Sequence, residues 1–265
     1  MFGRVIYADQ NVYIGGHKLS GVTSFQGDYQ IPLENIDTIG CVGINPNING
    51  PLTRTISMTR HIVSADPLLY LTGQSGVNGH IIYKNNYFGF VSGYLNTYKV
   101  NASVGELTKV DTSFVIFNNI GGNVIDNEPV LNDQLPFTPA NPGDISLNFQ
   151  ESATNRVTSF EYTIDCTRKP QYVLGSFNPA FVVLKRPLPV TLNFTVELDD
   201  YLCKDIQTLI CSPYQQNLVI NLNKCDKSTL IQSYSISNAS LISNSYNSSL
   251  SENANVKLTY RGYII

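Results

Sequence analysis

Residues 22–25 read Val-Thr-Ser-Phe, and the same four residues stand again at positions 157–160, so the offset is 157 − 22 = 135. The same shift carries Thr-Ile-Gly at 38–40 onto Val-Leu-Gly at 173–175. The order and near-constant spacing of such blocks predict an internal duplication. Each copy has the length of a small domain, which is too long for a solenoid repeat.

The register slips by one residue in the following blocks, which match at an offset of 136. Matched pairs are Leu52 with Leu188, Thr55 with Thr191, Tyr98 with Tyr234 and Val100 with Ile236. An insertion around residues 244–247 widens the gap, after which residues 110–116 align with 254–260. The predicted organisation is a first module over 1–120, a Pro- and Gly-rich linker or arm over 121–143, and a second module over 144–265.

Charge and hydropathy narrow the classes of function. Only 14% of residues are charged, and 17 basic against 20 acidic residues give a formal charge of −3. That balance neutralises few phosphates, so tight nucleic-acid binding is not expected. No stretch approaches the roughly 20 apolar residues that span a bilayer, and no targeting pattern stands at the start. The sequence predicts a soluble, unprocessed chain without membrane insertion.

Apolar and polar residues alternate with a period of two in both halves, as in Ser-Phe-Val-Ile-Phe at 113–117 and in residues 190–196. Alternate side chains of a strand face opposite sides, so these runs predict strands with one face on a core. Ser64 is expected to cap a short helix that runs to Tyr70, and a second helix is expected over 201–210. The predicted fold is mainly β, with one helix beside a sheet pair in each module.

The stretches that carry a family resemblance lie in both halves. Residues 93–107 read Gly-Tyr-Leu-Asn-Thr-Tyr-Lys-Val-Asn-Ala-Ser-Val-Gly-Glu-Leu, a strand that ends in a small-residue turn before the strand at 110–117. In the second half, residues 171–176 are followed by Leu-Pro-Val-Thr-Leu at 188–192. These patterns resemble the tail tube proteins, or major tail proteins, of long-tailed bacteriophages, in a version whose tube domain is duplicated.

The resemblance implies two tandem tail-tube-like modules, each a β-sandwich or half-barrel with one short flanking α-helix. Inner sheets would join edge to edge, and three chains would supply six modules of a pseudo-sixfold ring. Stacked rings would form a structural tube that conducts DNA during ejection without binding it specifically. The Pro-rich linker and the insertion near Asn247 are not general family features, which leaves open a baseplate hub or tail-end ring component built from the same module.

Partners and location also follow from the resemblance. The partners would be further copies of this chain, with the tape measure, tail terminator and baseplate or hub proteins, in a virion tail assembled in the host cytoplasm. Loops 41–51 and 176–186 would touch the next ring. The candidate inter-ring contact residues in these loops are Cys41, Gly43, Asn45, Pro46, Asn49, Phe177, Asn178 and Phe181.

Candidate catalytic and metal-binding residues are sparse. The histidines His17, His61 and His80 are scattered without a second ligand at metal-site spacing, and the five cysteines lack close pairs, so buried free thiols are expected. Neither a phosphate-binding glycine loop nor a nucleophile elbow is present, and residues 72–79 read as a glycine-rich turn. No catalytic residue, cofactor or metal is expected, and the chain is predicted not to be an enzyme.

Two other classes stay open at this point. One is a tandem β-sandwich adhesin that binds a carbohydrate, since 16 tyrosines could form a stacking platform. The other is a glycan-degrading enzyme that places Glu197 or Asp199 in a cleft. Against that enzyme, Glu197, Asp199 and Asp200 stand directly before the second expected helix, which either aspartate would cap.

Overall fold

A computed structural model describes residues 10–31, 33–36, 45–48, 53–73, 75–83, 86–122, 145–148, 157–197, 216–224, 229–249 and 252–264. Within them the fold is mainly β, which confirms the prediction from alternation. The strands of the first half are β1 (Gln10–Ile14), β2 (His17–Leu19), β3 (Val22–Gln30), β4 (Leu33–Ile36), β5 (Asn45–Ile48), β6 (Thr53–His61), β7 (Val77–Tyr83), β8 (Asn86–Ser103), β9 (Lys109–Ile116) and β10 (Ile120–Gly121). Those of the second half are β11 (Ile145–Asn148), β12 (Val157–Asp165), β13 (Arg168–Gln171), β14 (Phe181–Leu184), β15 (Leu188–Glu197), β16 (Gln216–Asn223), β17 (Leu230–Ser249) and β18 (Glu252–Ile264).

The pairing pattern of the first half recurs in the second. Pairs β1–β7, β7–β8, β8–β9, β9–β6, β6–β3 and β4–β5 are matched by β11–β16, β16–β17, β17–β18, β18–β15, β15–β12 and β13–β14. Even an irregularity recurs. The register shifts between Val22 and Ser24 in β3 and between Val157 and Ser159 in β12. The repeated Val-Thr-Ser-Phe sequence therefore lies at the same bulge in each half.

The long strands β8 and β17 each change partner in mid-course, which produces two layers. The first half of β8 pairs with β7 and the second with β9, while β17 pairs first with β16 and then with β18. Ser92 and Asn238 stand at these changes with φ of 54° and 52°, a region uncommon for residues other than glycine. Their amides donate to the side-chain oxygens of Asn78 and Asn217, at 3.1 and 3.2 Å. The same arrangement, a residue with positive φ whose amide donates to an asparagine side chain, thus lies where each strand passes from one layer into the other.

The strand pairing corrects the predicted alignment of the later blocks. Val256 occupies the position of Val110, an offset of 256 − 110 = 146. Tyr98 then corresponds to Asn244, and its predicted match with Tyr234 is wrong. The predicted alignment of the last strands is out by two residues. A shift of two keeps the same side of a strand toward the core, so an alternating sequence does not distinguish the two registers.

The core between the layers is one contiguous apolar cluster that includes residues from both halves. The Phe90 ring, in the layer that β7 forms with the first half of β8, lies 6.1 Å from the Phe114 ring in β9. Across the halves, the Tyr234 ring lies 5.1 Å from Tyr162 and 6.3 Å from Tyr98. The described architecture is therefore a β-sandwich whose two halves share their packing, and the division into modules at 1–120, 121–143 and 144–265 stays a prediction.

The first expected helix differs in type and in cap. It is a 3₁₀ helix over Pro67–Gly73, and the Leu68 amide donates to Asp66 Oδ1 at 2.8 Å, so Asp66 rather than Ser64 caps it. Short 3₁₀ helices are common in the connections between regular elements, as here between β6 and β7. The second expected helix, at 201–210, lies outside the described residues. No helix in the described part of the chain is long and apolar enough to cross a membrane.

Gly79 corrects the interpretation of residues 72–79 as a turn. It belongs to β7, where a Cβ atom would stand 2.5 Å from the Phe90 ring. Glycine is needed there because the aromatic ring occupies the space of a side chain.

Candidate assembly surfaces

The two halves join through a strand junction between β8 and β12. Seven residue pairs form it, from Ser103 opposite Ser159 to Thr97 opposite Asp165. Further backbone bonds extend it at each end, from the Cys166 amide to Asn96 O at 2.7 Å and from the Val104 amide to Thr158 O at 2.9 Å. The sheets of the halves thus continue into each other as one eight-stranded surface, in the order β3-β6-β9-β8-β12-β15-β18-β17.

The strands that correspond to the two junction strands, β12 and β8, lie at the two ends of the eight-stranded surface. β3 corresponds to β12 and, within the described residues, pairs only with β6. The second half of β17 corresponds to the second half of β8, and β18 is its only partner there among the strands that the structure describes. Side chains 242–248 are all exposed. Both ends therefore present open rows of backbone N–H and C=O groups, which a further strand could pair with.

One side of the eight-stranded surface, called the polar face below, carries hydroxyl, amide and charged side chains. Asp111 accepts hydrogen bonds from Thr59 Oγ1 at 2.6 Å and from Asn101 Nδ2 at 3.0 Å. Across the junction, Lys99 Nζ lies 2.6 Å from Glu161 Oε2. The described charges on this face give 4 − 5 = −1: Lys99, Lys109, Lys257 and Arg261 against Asp28, Asp111, Glu161, Asp165 and Glu197.

The β13–β14 hairpin carries an apolar tip, defined here as residues 172–183. Leu174 is 105% exposed and Phe177 71% exposed, and Tyr172, Val173, Phe181 and Val183 are also exposed. Of the residues predicted to touch the next ring, Phe177, Asn178 and Phe181 lie in this tip. An exposed apolar cluster of this kind is a candidate interaction surface.

The base of the hairpin is held by Arg168. Its guanidinium donates to the carbonyl oxygens of Leu95 and Thr72, each at 3.4 Å, and lies 5.5 Å from the centre of the Tyr94 ring. These contacts tie the second-half hairpin to β8 and to the 3₁₀ helix of the first half, so the apolar tip projects from a fixed base.

Two of the remaining predicted contact residues lie in a strand, so the prediction of a loop over 41–51 is wrong at 45–48. Asn45 and Pro46 belong to β5 and pair with Ile36 and Asn35 of β4. Cys41, Gly43 and Asn49 lie outside the described residues. The β4–β5 pair occupies the place in the first half that the β13–β14 hairpin occupies in the second.

No protein-family model matches the sequence, and no curated protein matches it. The function of this chain therefore has to be inferred from its own surfaces: the junction, the two open edges, the polar face and the apolar tip.

A buried polar network under the sheet escaped the sequence-based reasoning. Asp66, fully buried, forms an ion pair with Arg60 and accepts a 2.7 Å hydrogen bond from the Tyr98 hydroxyl. Its amide donates to Gln232 Oε1 of the second half at 3.0 Å. The only available signal was an arginine at a core-facing position of an alternating strand. The network connects the halves and its members are buried, so we assign it a structural role.

Burial dominates the titration of several core groups. It raises the pKa of Tyr98, Tyr162 and Tyr234, with Tyr234 and Asp66 adding to the effect at Tyr98. Burial also raises the pKa of Cys166 to about 11, which keeps that free thiol protonated. The other four cysteines lie outside the described residues.

The candidate metal and acid–base residues do not converge. His80 stacks on Tyr13 in neighbouring strands, and burial lowers its pKa. Glu197 accepts a hydrogen bond from Asn253 at the end of β15, while Asp199 and Asp200 lie outside the described residues. Within the described ranges no group of three potential metal ligands occurs.

Proposed function

We propose that this protein is a structural subunit that joins edge to edge with copies of itself into a closed ring, and that stacked rings form a phage tail tube. The β8–β12 junction carries the proposal, because one such contact already exists inside the chain while the two equivalent strands, among the described residues, have no neighbour at the ends of the sheet. Contacts of this head-to-tail kind close into rings when the rotation permits.

The polar face supports the second part of the proposal. A ring built by continuing the sheet would have one side of it toward the lumen, and hydroxyl and amide side chains with a charge near zero suit a surface past which DNA moves. A strongly basic lining would bind phosphates at every step and hold the DNA back. We therefore assign the polar face to the lumen.

The apolar tip supports stacking of one ring on the next. Leu174 and Phe177 are exposed in the single chain, and burying each fully in a contact would contribute about 1.5–3 kcal/mol. The loop at 176–186 was predicted from sequence to touch the next ring, and the tip extends that surface by residues 172–175.

Electron microscopy of the purified chain tests the proposal. Hollow rings with three chains in each layer are expected, alone or stacked. Particles that stay single chains at high protein concentration would overturn it, and saturable glycan binding by such single chains would favour the adhesin.

A hairpin variant tests the stacking surface. Leu174→Ser together with Phe177→Ser should leave rings intact and shorten or abolish stacks, because both side chains are exposed in the subunit. Val104→Ser is the matched control, since Val104 is also 71% exposed but lies at the turn after β8. Stacks of normal length in the double variant would exclude the tip as the contact between rings.

A further inference from the structure

We propose that β3 of one chain adds to the second half of β17 of another chain in the register of the internal β8–β12 junction. The inference rests on the proposed function and deepens it, because it names the strands and residue pairs through which copies join.

The register follows from the correspondence of strands. Ser159 of β12 corresponds to Ser24 of β3, since 159 − 135 = 24, and Ser103 of β8 corresponds to Ser249 of β17, since 103 + 146 = 249. Ser159 lies opposite Ser103 inside the chain. The equivalent pairs between chains are Ser24 with Ser249, Gln26 with Asn247, Gly27 with Tyr246, Asp28 with Ser245 and Tyr29 with Asn244.

Side-chain volume matches in this register. At the internal junction Tyr162 lies opposite Val100, and both are buried. The equivalent pair between chains sets Gly27 opposite Tyr246, which is 65% exposed in the single chain. Inside the chain the larger residue, Tyr162, stands on β12, whereas between chains the larger residue, Tyr246, stands on β17 and Gly27 of β3 lies opposite it. Within the chain the Phe88 ring already lies 3.0 Å from the position of a Gly27 Cβ atom, so Tyr246 would pack beside that ring as well as over the glycine, which is a favourable cross-strand arrangement.

Burial at the open edge points the same way. Tyr29 of β3 is 68% exposed, whereas its equivalent Ile164 in β12, which has β8 as a neighbour, is fully buried. A strand added at this edge would cover Tyr29, as β8 covers Ile164. Charges raise no obstacle, because Asp28 would face Ser245 and Gln26 would face Asn247, so no like charges stand opposite each other.

Paired cysteines test the register directly. Directly opposite residues in an antiparallel pair lie about 4.5–5.5 Å apart between Cα atoms, within the range of a disulfide, whereas residues displaced by two lie roughly 7–8 Å apart. The variant Gln26→Cys with Asn247→Cys should therefore form disulfides between chains on mild oxidation. The variant Gln26→Cys with Ser245→Cys should not. The unmodified chain and the single variants control for the native cysteines.

The outcomes separate this inference from the proposed function. An oxidised ladder that ends at three chains, from the in-register pair only, supports both. Rings in the microscope with cross-linking only from the displaced pair, or from neither pair, overturn the register and leave the ring intact. Absence of any multi-chain particle in the unmodified protein overturns both.

A second variant measures the contact without introducing a thiol. Tyr246→Ala should weaken ring assembly at least about tenfold in the concentration required, because aromatic residues at the centre of a contact contribute most. Tyr70→Ala is the matched control, since Tyr70 is 66% exposed but lies in the 3₁₀ helix. Both variants should fold like the unmodified chain. Equal assembly by the two variants would remove Tyr246 from the contact.

Discussion

At the scale of single residues, the buried charge of Asp66 is the position where one substitution should matter most. Asp66→Asn keeps the shape but leaves Arg60 without its ion-pair partner in a site where both are nearly inaccessible. Breaking a buried pair costs about 3–5 kcal/mol. Urea unfolding should report a loss of that size, and Asp28→Asn on the exposed edge strand should lose little. Equal stability of the Asp66 variant and the unmodified chain would contradict a structural role for the network.

Alkaline pH should destabilise the fold through buried groups that keep their protons. The pKa of Cys166 rises from 9.0 to about 11 on burial, and burial likewise raises the pKa of Tyr162 and Tyr234 above 10.0. Between the unfolded and folded pKa values only the unfolded chain releases its protons, so stability present below pH 9 falls as pH rises.

Thermal unfolding between pH 7 and 11 checks this expectation. The melting temperature should fall above about pH 9, and Tyr162→Phe, which removes one of the titrating groups, should make the fall shallower above pH 10. A melting temperature that stays constant to pH 11 would contradict the assignment.

At the scale of elements, the two strand-turning devices should behave alike. Asn78→Ala and Asn217→Ala each remove the side-chain oxygen that accepts the amide of Ser92 or Asn238. A hydrogen bond of this kind contributes roughly 0.5–1.5 kcal/mol. Chemical denaturation should give losses within that range for both variants. A loss for one variant only would show that the halves depend on different local contacts.

The same elements show how far sequence reasoning reached. Alternation predicted strands such as 190–196 because burial of one face imposes a period of two, and the structure has β15 there. It did not predict the register near Tyr98, since a shift of two leaves the same residues facing the core. Nor did it predict the Asp66 cap, because the capping geometry depends on a 3₁₀ turn and on a distant Gln232. The sequence of a segment alone can indicate a strand, whereas strand register and helix capping depend on residues that are distant in the sequence.

Some of the candidate surfaces can likewise be predicted from the sequence, and others only from the tertiary structure. An apolar segment around Phe177 and Phe181 is visible in the sequence, but its prediction as a loop over 176–186 missed β14 at Phe181–Leu184. The open edges are not visible, since an edge is defined by which strand lies beside it. Only the pairing of β8 with β12 reveals that β3 and the second half of β17 are the equivalent strands, which lack a neighbour on that side within the described part of the chain.

At the scale of the whole molecule, the shared core predicts that the halves unfold together. Tyr98, Tyr162 and Tyr234 pack across the halves, and seven residue pairs join β8 to β12. Opening either half would expose this packing in the other. Tyrosine fluorescence and far-ultraviolet circular dichroism should therefore follow one coincident transition in urea, and two separated transitions would show that each half is stable alone.

The location of the β8–β12 junction within one polypeptide also determines how an assembly responds to dilution. Pairing inside a chain is a first-order event with a high effective concentration, so it does not weaken when the protein is diluted. Pairing between chains is second order and does weaken. An assembly of this protein should therefore come apart only at every second junction, releasing pairs of halves and never a single half.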